Sequence, residues 1–402
     1  LTQTGTSSGC SRSGGLAATA AGHGLGAAAG YPAAVNLWQP IVGIIGLLIV
    51  ARTIMSGVRT FVVPRGDNDG LTRISFLAIR KVFNLLAPAS RPYEFRDRVM
   101  AYYGPVALIL LPAWWLVLVL TGFAAIFWAL GVAPLEAFGI SGSSLLTLGF
   151  NRPAVPGGEA VAFAEAGIGL ALVALLISYL PTIYGGFSRR ELLVSLLEVR
   201  ADSPPSPVVM LTRMHRLSGF GALHPMWERW EQWFAEVEET HTSLPVLVFY
   251  RSQQPSQSWV NAAGAMMDAA ALVRSSVAIP MDVQADLMIR AGYLALGRIA
   301  SFFNVPIAAT PLPTEATSIN RMRFDAALRV LAEAGVPLVD DRDQAWRDFS
   351  GWRVNYDRPL RALEKITMAP TPWWDRPMQS AWATDEPDRA AAAEHGGMQP
   401  RN

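Results

Sequence analysis

The residues able to do chemistry in this chain are few, and their spacing narrows what that chemistry is. The five histidines, His23, His215, His224, His241 and His395, fall at intervals that suit no metal site. The single cysteine, Cys10, excludes an intrachain disulfide and any multi-cysteine metal centre. His241, close behind Glu238 and Glu239, reads as a solvated helix end, with a pH-sensitive cluster as the alternative. Asp340, Asp341 and Asp343 read as charge at a helix N-terminus, with a cation site as the alternative. Gly219-Phe220-Gly221 lacks the strand, the third glycine and the acidic partner of a dinucleotide site. No catalytic constellation, cofactor or resident metal is expected, and an enzyme is not. With no side-chain constellation to build on, what remains to be read is the uncharged stretch ending at Asn151.

Such a segment needs elements to hold it, and the distribution of charge supplies them. Charged residues are 16% of the 402, against about 25% in ordinary globular chains, and they are unevenly spread. Between Arg98 and Glu136 lie 37 uncharged residues, and from Ala166 to Ser188 another 23. Each is long enough for a helix to cross a bilayer, which takes about 20 apolar residues. A third span is expected near Ala34 to Val63, where Arg52 and Arg59 fall seven apart on one face and can snorkel to the headgroups. Between the two long runs, Ala137 to Asn151 is an uncharged stretch of 15 residues. That is too short to span and too apolar for an exterior loop, which predicts a re-entrant segment with a short helix over roughly Leu135 to Leu146.

The basic residues predict the sidedness. Arg52 to Arg98 holds nine Lys and Arg, whereas Gly131 to Glu165 holds only Arg152. By the positive-inside rule the first linker and everything after Arg189 face the cytoplasm, and the N-terminus and the loop around residue 150 face outward. A multi-pass protein of the cell (inner) membrane is expected. With 33 basic and 32 acidic residues the balance is close to neutral, which argues against a nucleic-acid partner.

Span, short helix, Thr-x-Gly-aromatic, span resembles the pore module of potassium channels over about Arg98 to Arg190, with Thr147-Leu148-Gly149-Phe150 similar to the filter motif. The resemblance implies an all-α membrane protein. It would have a potassium-channel-type pore module, an extra N-terminal transmembrane helix and an all-helical cytoplasmic domain. It implies a selectivity filter at Thr147 to Asn151, potassium as the permeant cation and a homotetramer, since one chain supplies one loop. It also implies a hinge at Gly169, a kink at Pro181 and a constriction near Ile183, Tyr184, Gly185 and Gly186. Three positions depart from the pattern. Asn151 replaces the second filter glycine, and asparagine is among the better residues at left-handed angles. Arg152 replaces an acidic residue and would place four positive charges at the mouth unless it pairs with Glu136, Glu159 or Glu165. Leu146 replaces a threonine. No voltage sensor is expected, because no span repeats arginine every third residue.

The remaining chain divides by composition. Residues 1–33 form a Gly/Ala/Ser-rich lead expected to be disordered, and residues 34–98 carry the first span and a basic linker. Within that linker, Thr72 to Leu86 has helical apolar spacing and suits either an interfacial helix on lipid or packing against the cytoplasmic domain. Residues 99–190 are the pore-like unit. Residues 191–372 are read as a helical domain, entered through a linker at Asp202 to Pro207, with helices expected at 208–217, 225–240, 257–276, 281–304, 315–334 and 340–366. Trp227, Trp230 and Trp233 mark one apolar face and are expected in its core. The 257–304 segment reads as a buried helix rather than a fourth span. Leu244 to Tyr250 is strand-like and suits a buried connector. Residues 373–402 read as a disordered tail. The phrases Phe187-Ser188-Arg189-Arg190, Glu239-Thr240-His241-Thr242-Ser243 and Trp352-Arg353-Val354-Asn355-Tyr356-Asp357 look similar to bacterial channel-like proteins with a helical C-terminal domain. A cytoplasmic regulator is a further partner that such a domain would allow. From another class, a non-conducting membrane scaffold or sensor fits the same spans.

Overall fold

A computed structural model describes residues 38–61, 70–308, 311–312 and 314–377. The expected lead of residues 1–33 lies outside the described residues, as does the tail from residue 378 onward. Among the described residues the chain is all-helical and has no strand; one isolated bridge joins Val277 to Leu338.

Among the described residues three helices are long and apolar enough to cross a membrane. The first is α1, Trp38–Phe61. Helix α2 (Gly70–Leu86) and the short α3 (Tyr93–Ala101) lead into the second, α4, Tyr103–Ala129. Helix α5, Pro134–Leu145, follows; Pro134 starts it, where a missing N–H costs nothing, and Glu136 lies in its first turn. The third long helix is α6, Gly158–Ala201, whose 44 residues reach about 66 Å at 1.5 Å per residue. The hydrocarbon core is about 30 Å thick, so α6 extends well past it. The charged run Arg189-Arg190-Glu191 falls on the extension.

Helices in lipid gain little from hiding apolar surface from each other, so close contact between small residues holds them. Helix α1 uses this against α4. A side chain at Gly46 would run into the Gly122 carbonyl, and a Cβ at Gly43 would come within 2.7 Å of the Ala129 Cβ. Arg52 and Arg59 lie on the exposed side of α1. The apolar centre of this half is Trp115, Val119, Phe123 and Phe127 of α4 with Ala137, Ile140 and Leu145 of α5.

The second half is a bundle of α7 (Pro207–Ser218), α8 (Leu223–Ser243), α9 (Trp259–Ser276), α10 (Val283–Phe302), α11 (Arg321–Glu333) and α12 (Arg342–Thr367). Its axis is α9, which is buried along nearly its whole length by α12, α10 and α7. Small residues make that possible: Ala262, Ala263, Gly264, Ala269, Ala270 and Ala271 let neighbours approach on every side. Trp227, Trp230 and Trp233 enter this core as their spacing predicted. The expected acidic cluster resolves as a cap, with the Asp341 carboxylate accepting from the backbone N–H groups of Asp343 and Gln344 at the start of α12.

Three sequence expectations change. Leu244 to Tyr250 is not a strand; Pro245–Phe249 is a 3₁₀ turn with Leu247 fully buried, the connector alternative. Pro245 removes a donor a sheet ladder would need, and no neighbouring strand is available to pair. Asp202 to Pro207 is a tight, largely buried turn rather than an open linker. Trp373 and Trp374, grouped with the tail on composition, are buried in the bundle core.

Candidate functional site

The segment after α5 is organised by one serine. The Ser143 carbonyl accepts from the Leu148 N–H at 2.8 Å and the Gly149 N–H at 3.4 Å, while its hydroxyl lies 3.1 Å from the Asn151 N–H. Thr147 donates its N–H to the Ser144 carbonyl. These bonds reverse the chain at the end of α5 and lay Thr147 to Asn151 back along it. The reversal needs left-handed backbone at two positions, Thr147 with φ 55° and Gly149 with φ 73°. Gly149 adopts this freely. Thr147 is β-branched, and a residue of that type at positive φ is a backbone outlier that costs on the order of 1–3 kcal/mol. Asn151, expected at a left-handed angle, does not have one; its backbone is held by Ser143 and its amide lies against Gly139, where a Cβ would come within 2.8 Å of Nδ2.

Residues Leu146 to Arg152 are exposed in the single chain, with Leu148 and Phe150 standing clear of it. Arg152 forms no ion pair among the described residues, so none with Glu136, Glu159 or Glu165 offsets it within the single chain. Glu165 is instead fully buried, with Oε1 2.5 Å from Ser141 Oγ.

Behind this segment runs α6. Gly169 packs directly against the Leu145 carbonyl, so a side chain there would collide with the end of α5. Pro181 is inside α6, which remains one continuous helix. Ile183 is buried with Leu108, Leu244 and Leu247, whereas Tyr184 is exposed. The exposed face of α6 carries Phe163, Leu170, Ile177 and Tyr184, spaced seven apart, with Val173 and Leu180 between them. A seven-residue apolar repeat is the pattern of helices that pack along one another. That repeat was readable in the sequence but was masked by an almost uniformly apolar segment.

Past the apolar half, α6 joins the bundle through Arg190, whose guanidinium is buried and donates to the Leu247 and Tyr250 carbonyls at 2.8 and 2.7 Å. It also pairs with Glu191 and meets His241 Nε2 at 3.0 Å. The Trp233 indole donates to the Arg190 carbonyl. His241 is therefore not a solvated helix end. It is fully buried, because α8 ends against α6 and the 3₁₀ turn. Burial, and then the Arg190 charge, hold the imidazole well below its usual pKa.

A second buried ionic group locks the far side of the bundle. Asp268 of α9 accepts from Arg353 at 2.6 and 2.7 Å, from the Tyr356 hydroxyl at 2.8 Å and from the Trp374 indole at 2.9 Å. Arg353 also donates to Asp357, which Ser318 caps through its backbone and hydroxyl. Every oxygen of Asp268 is satisfied, as a buried carboxylate requires. Among the described residues no group of histidine, cysteine and acidic side chains could hold a metal ion.

Comparison with protein-family models, with curated proteins and with solved structures found no significant match to this chain.

Proposed function

We propose that the chain is one subunit of a homotetrameric ion channel of the potassium-channel type, conducting monovalent cations, potassium first, along the Thr147–Asn151 backbone. The observation that carries this reading is α5 with its returning segment, set between two helices able to span. Twelve residues make about 18 Å of helix, too short to cross, so the chain enters and leaves on one side. The partial negative charge at the C-terminus of α5 favours a cation beside Thr147. Left-handed angles at Thr147 and Gly149 suit a main chain that offers carbonyls to an ion. Exposure of Leu148 and Phe150 in the single chain is what a segment completed by neighbouring copies would leave.

In this reading α1 is a peripheral span, the Phe163–Tyr184 stripe of α6 lines the assembly axis, and Tyr184 is the constriction beside the Pro181 kink. Gly169 seats α5 as well as offering a hinge. The chain resides in the inner membrane with the return segment outward and the bundle in the cytoplasm, where a regulator can reach it. One observation favours the scaffold or sensor alternative: four unpaired Arg152 guanidiniums near the mouth would repel cations.

The test is the purified protein in lipid vesicles, with its oligomeric state measured by native mass spectrometry. A tetramer that passes potassium faster than sodium supports the reading. Equal potassium and sodium flux keeps the pore and removes its selectivity. A tetramer without flux supports the scaffold, and a monomer contradicts the channel.

A further inference from the structure

Glu165 is a charged residue type in an apolar place, and its hydrogen bonds state which form it takes. Ser141 Oγ lies 2.5 Å from Glu165 Oε1 and 2.9 Å from the Leu120 carbonyl oxygen. A serine hydroxyl has one hydrogen to give. The Leu120 carbonyl can only accept, and an ionised Glu165 could also only accept. Two acceptors would then compete for one hydrogen. With a proton on Glu165 each contact has its donor: the carboxyl O–H donates to Ser141 Oγ, and the Ser141 O–H donates to Leu120. The second carboxyl oxygen, Oε2, is buried without a partner. A neutral acid tolerates that far better than a carboxylate does.

Among the described residues no cation offsets a charge there. Helix α4 carries no ionisable side chain beyond Tyr103 at its far end. On α5 the one ionisable group is Glu136, which is exposed, and on the return segment it is Arg152, also exposed. Helix α6 contributes exposed Glu159 in its first turn, and α1 carries Arg52 and Arg59, both exposed. None of these pairs with Glu165.

The chain of bonds joins three helices at the base of the return segment. Glu165 and Gly169 are four apart on α6, and Ser141 and Leu145 are four apart on α5. Glu165 meets Ser141 and Gly169 meets Leu145, so one face of α6 grips one face of α5. Two residues beyond Ser141, Ser143 holds Leu148, Gly149 and Asn151. A shift at Ser141 is therefore passed directly to the segment.

We propose that Glu165 is a neutral carboxylic acid that donates to Ser141 and thereby positions Thr147 to Asn151, and that its deprotonation in alkaline solution loosens the segment and reduces conduction. The positional part rests on the conducting reading above; the protonation part does not.

Two measurements separate them. Infrared spectra of the protein in vesicles at neutral pH, wild type minus Glu165→Gln, should contain a protonated-carboxyl C=O band. Absence of that band overturns the proposal whether or not the protein conducts. Potassium flux should fall by about tenfold as the medium becomes alkaline, the factor an ordinary hydrogen bond carries. Glu165→Gln, whose amide can still donate to Ser141, should conduct with no alkaline loss, and Glu165→Ala should form tetramers with reduced flux at every pH. Wild-type flux that is flat with pH, or an alkaline loss retained in Glu165→Gln, overturns the positioning role. A tetramer that shows the band but never conducts contradicts the channel reading and leaves the neutral acid standing.

Discussion

Arg190 Nη1 and His241 Nε2, 51 positions apart in the chain, lie 3.0 Å apart in a fully buried contact between α6 and α8. The contact fixes the imidazole. A guanidinium can only donate, so Nε2 must accept and carries no proton. Thr240 Oγ1 gives its hydrogen to the Glu236 carbonyl at 2.6 Å, so at 3.0 Å it accepts from Nδ1–H of His241. The helix that leaves the apolar half is thus joined to the bundle by a pairing that requires neutral histidine.

That requirement has a pH signature. The native imidazole is held well below its ordinary value, by burial first and Arg190 second. The unfolded chain takes up its proton near pH 6.5, about the free histidine value. Below that point the unfolded state binds more protons, so stability falls as pH falls, by up to about 1.4 kcal/mol per pH unit for one group. Thermal unfolding in mild detergent should show this slope from neutral pH into the acid range. His241→Gln can still accept from Arg190 and should flatten it; an unchanged slope would place the effect elsewhere.

Asp268 should be the costliest single charge to remove from the bundle. Asp268→Leu leaves Arg353, Tyr356 and the Trp374 indole without their shared acceptor. Breaking a buried pair on one side typically costs about 3–5 kcal/mol. Trp374 would also lose its tether, so limited proteolysis should trim the C-terminal end sooner. A variant that unfolds at the wild-type temperature and resists the protease equally would contradict the assignment.

Gly46 should tolerate no side chain. A Cβ there meets the Gly122 carbonyl, and valine would have to push α1 off α4. Overpacking of this kind costs about 1–3 kcal/mol. Thermal unfolding in mild detergent should therefore come at a lower temperature in Gly46→Val than in the wild type, whereas valine at the exposed Leu47 on the other side of α1 should leave it unchanged. An unchanged unfolding temperature in Gly46→Val would mean that α1 does not pack there.

Much of the fold was legible where local chemistry decides. The helices expected at 208–217 and 257–276 are found at Pro207–Ser218 and Trp259–Ser276, because Ser206 and Ser258 cap them and apolar spacing runs through them. Helix α5 lies within a residue of its expected bounds, with Pro134 rather than a capping side chain at its start. What was not legible depends on contacts between distant positions. Glu165 was counted as a loop charge available to Arg152, since nothing in the sequence says that its face meets Ser141, 24 residues earlier. His241 was read by its acidic neighbours Glu238 and Glu239, but α8 turns those outward and His241 inward. Leu244 to Tyr250 has strand-forming residues, and tertiary burial against Leu108 and Ile183 overrode that preference. Gly149 uses the left-handed freedom of its residue type; the second left-handed residue of the segment is Thr147, not Asn151.

Conduction along the Thr147–Asn151 backbone makes Gly149 the decisive position. Potassium flux into vesicles is compared for the wild-type protein and Gly149→Ala, both verified as tetramers. At φ 73° the added Cβ is strained although the surrounding space is open, so the change acts on the backbone of the segment and not on its packing. Flux is expected in the wild type, and Gly149→Ala should lose at least most of it with assembly intact. Undiminished flux in Gly149→Ala would contradict it.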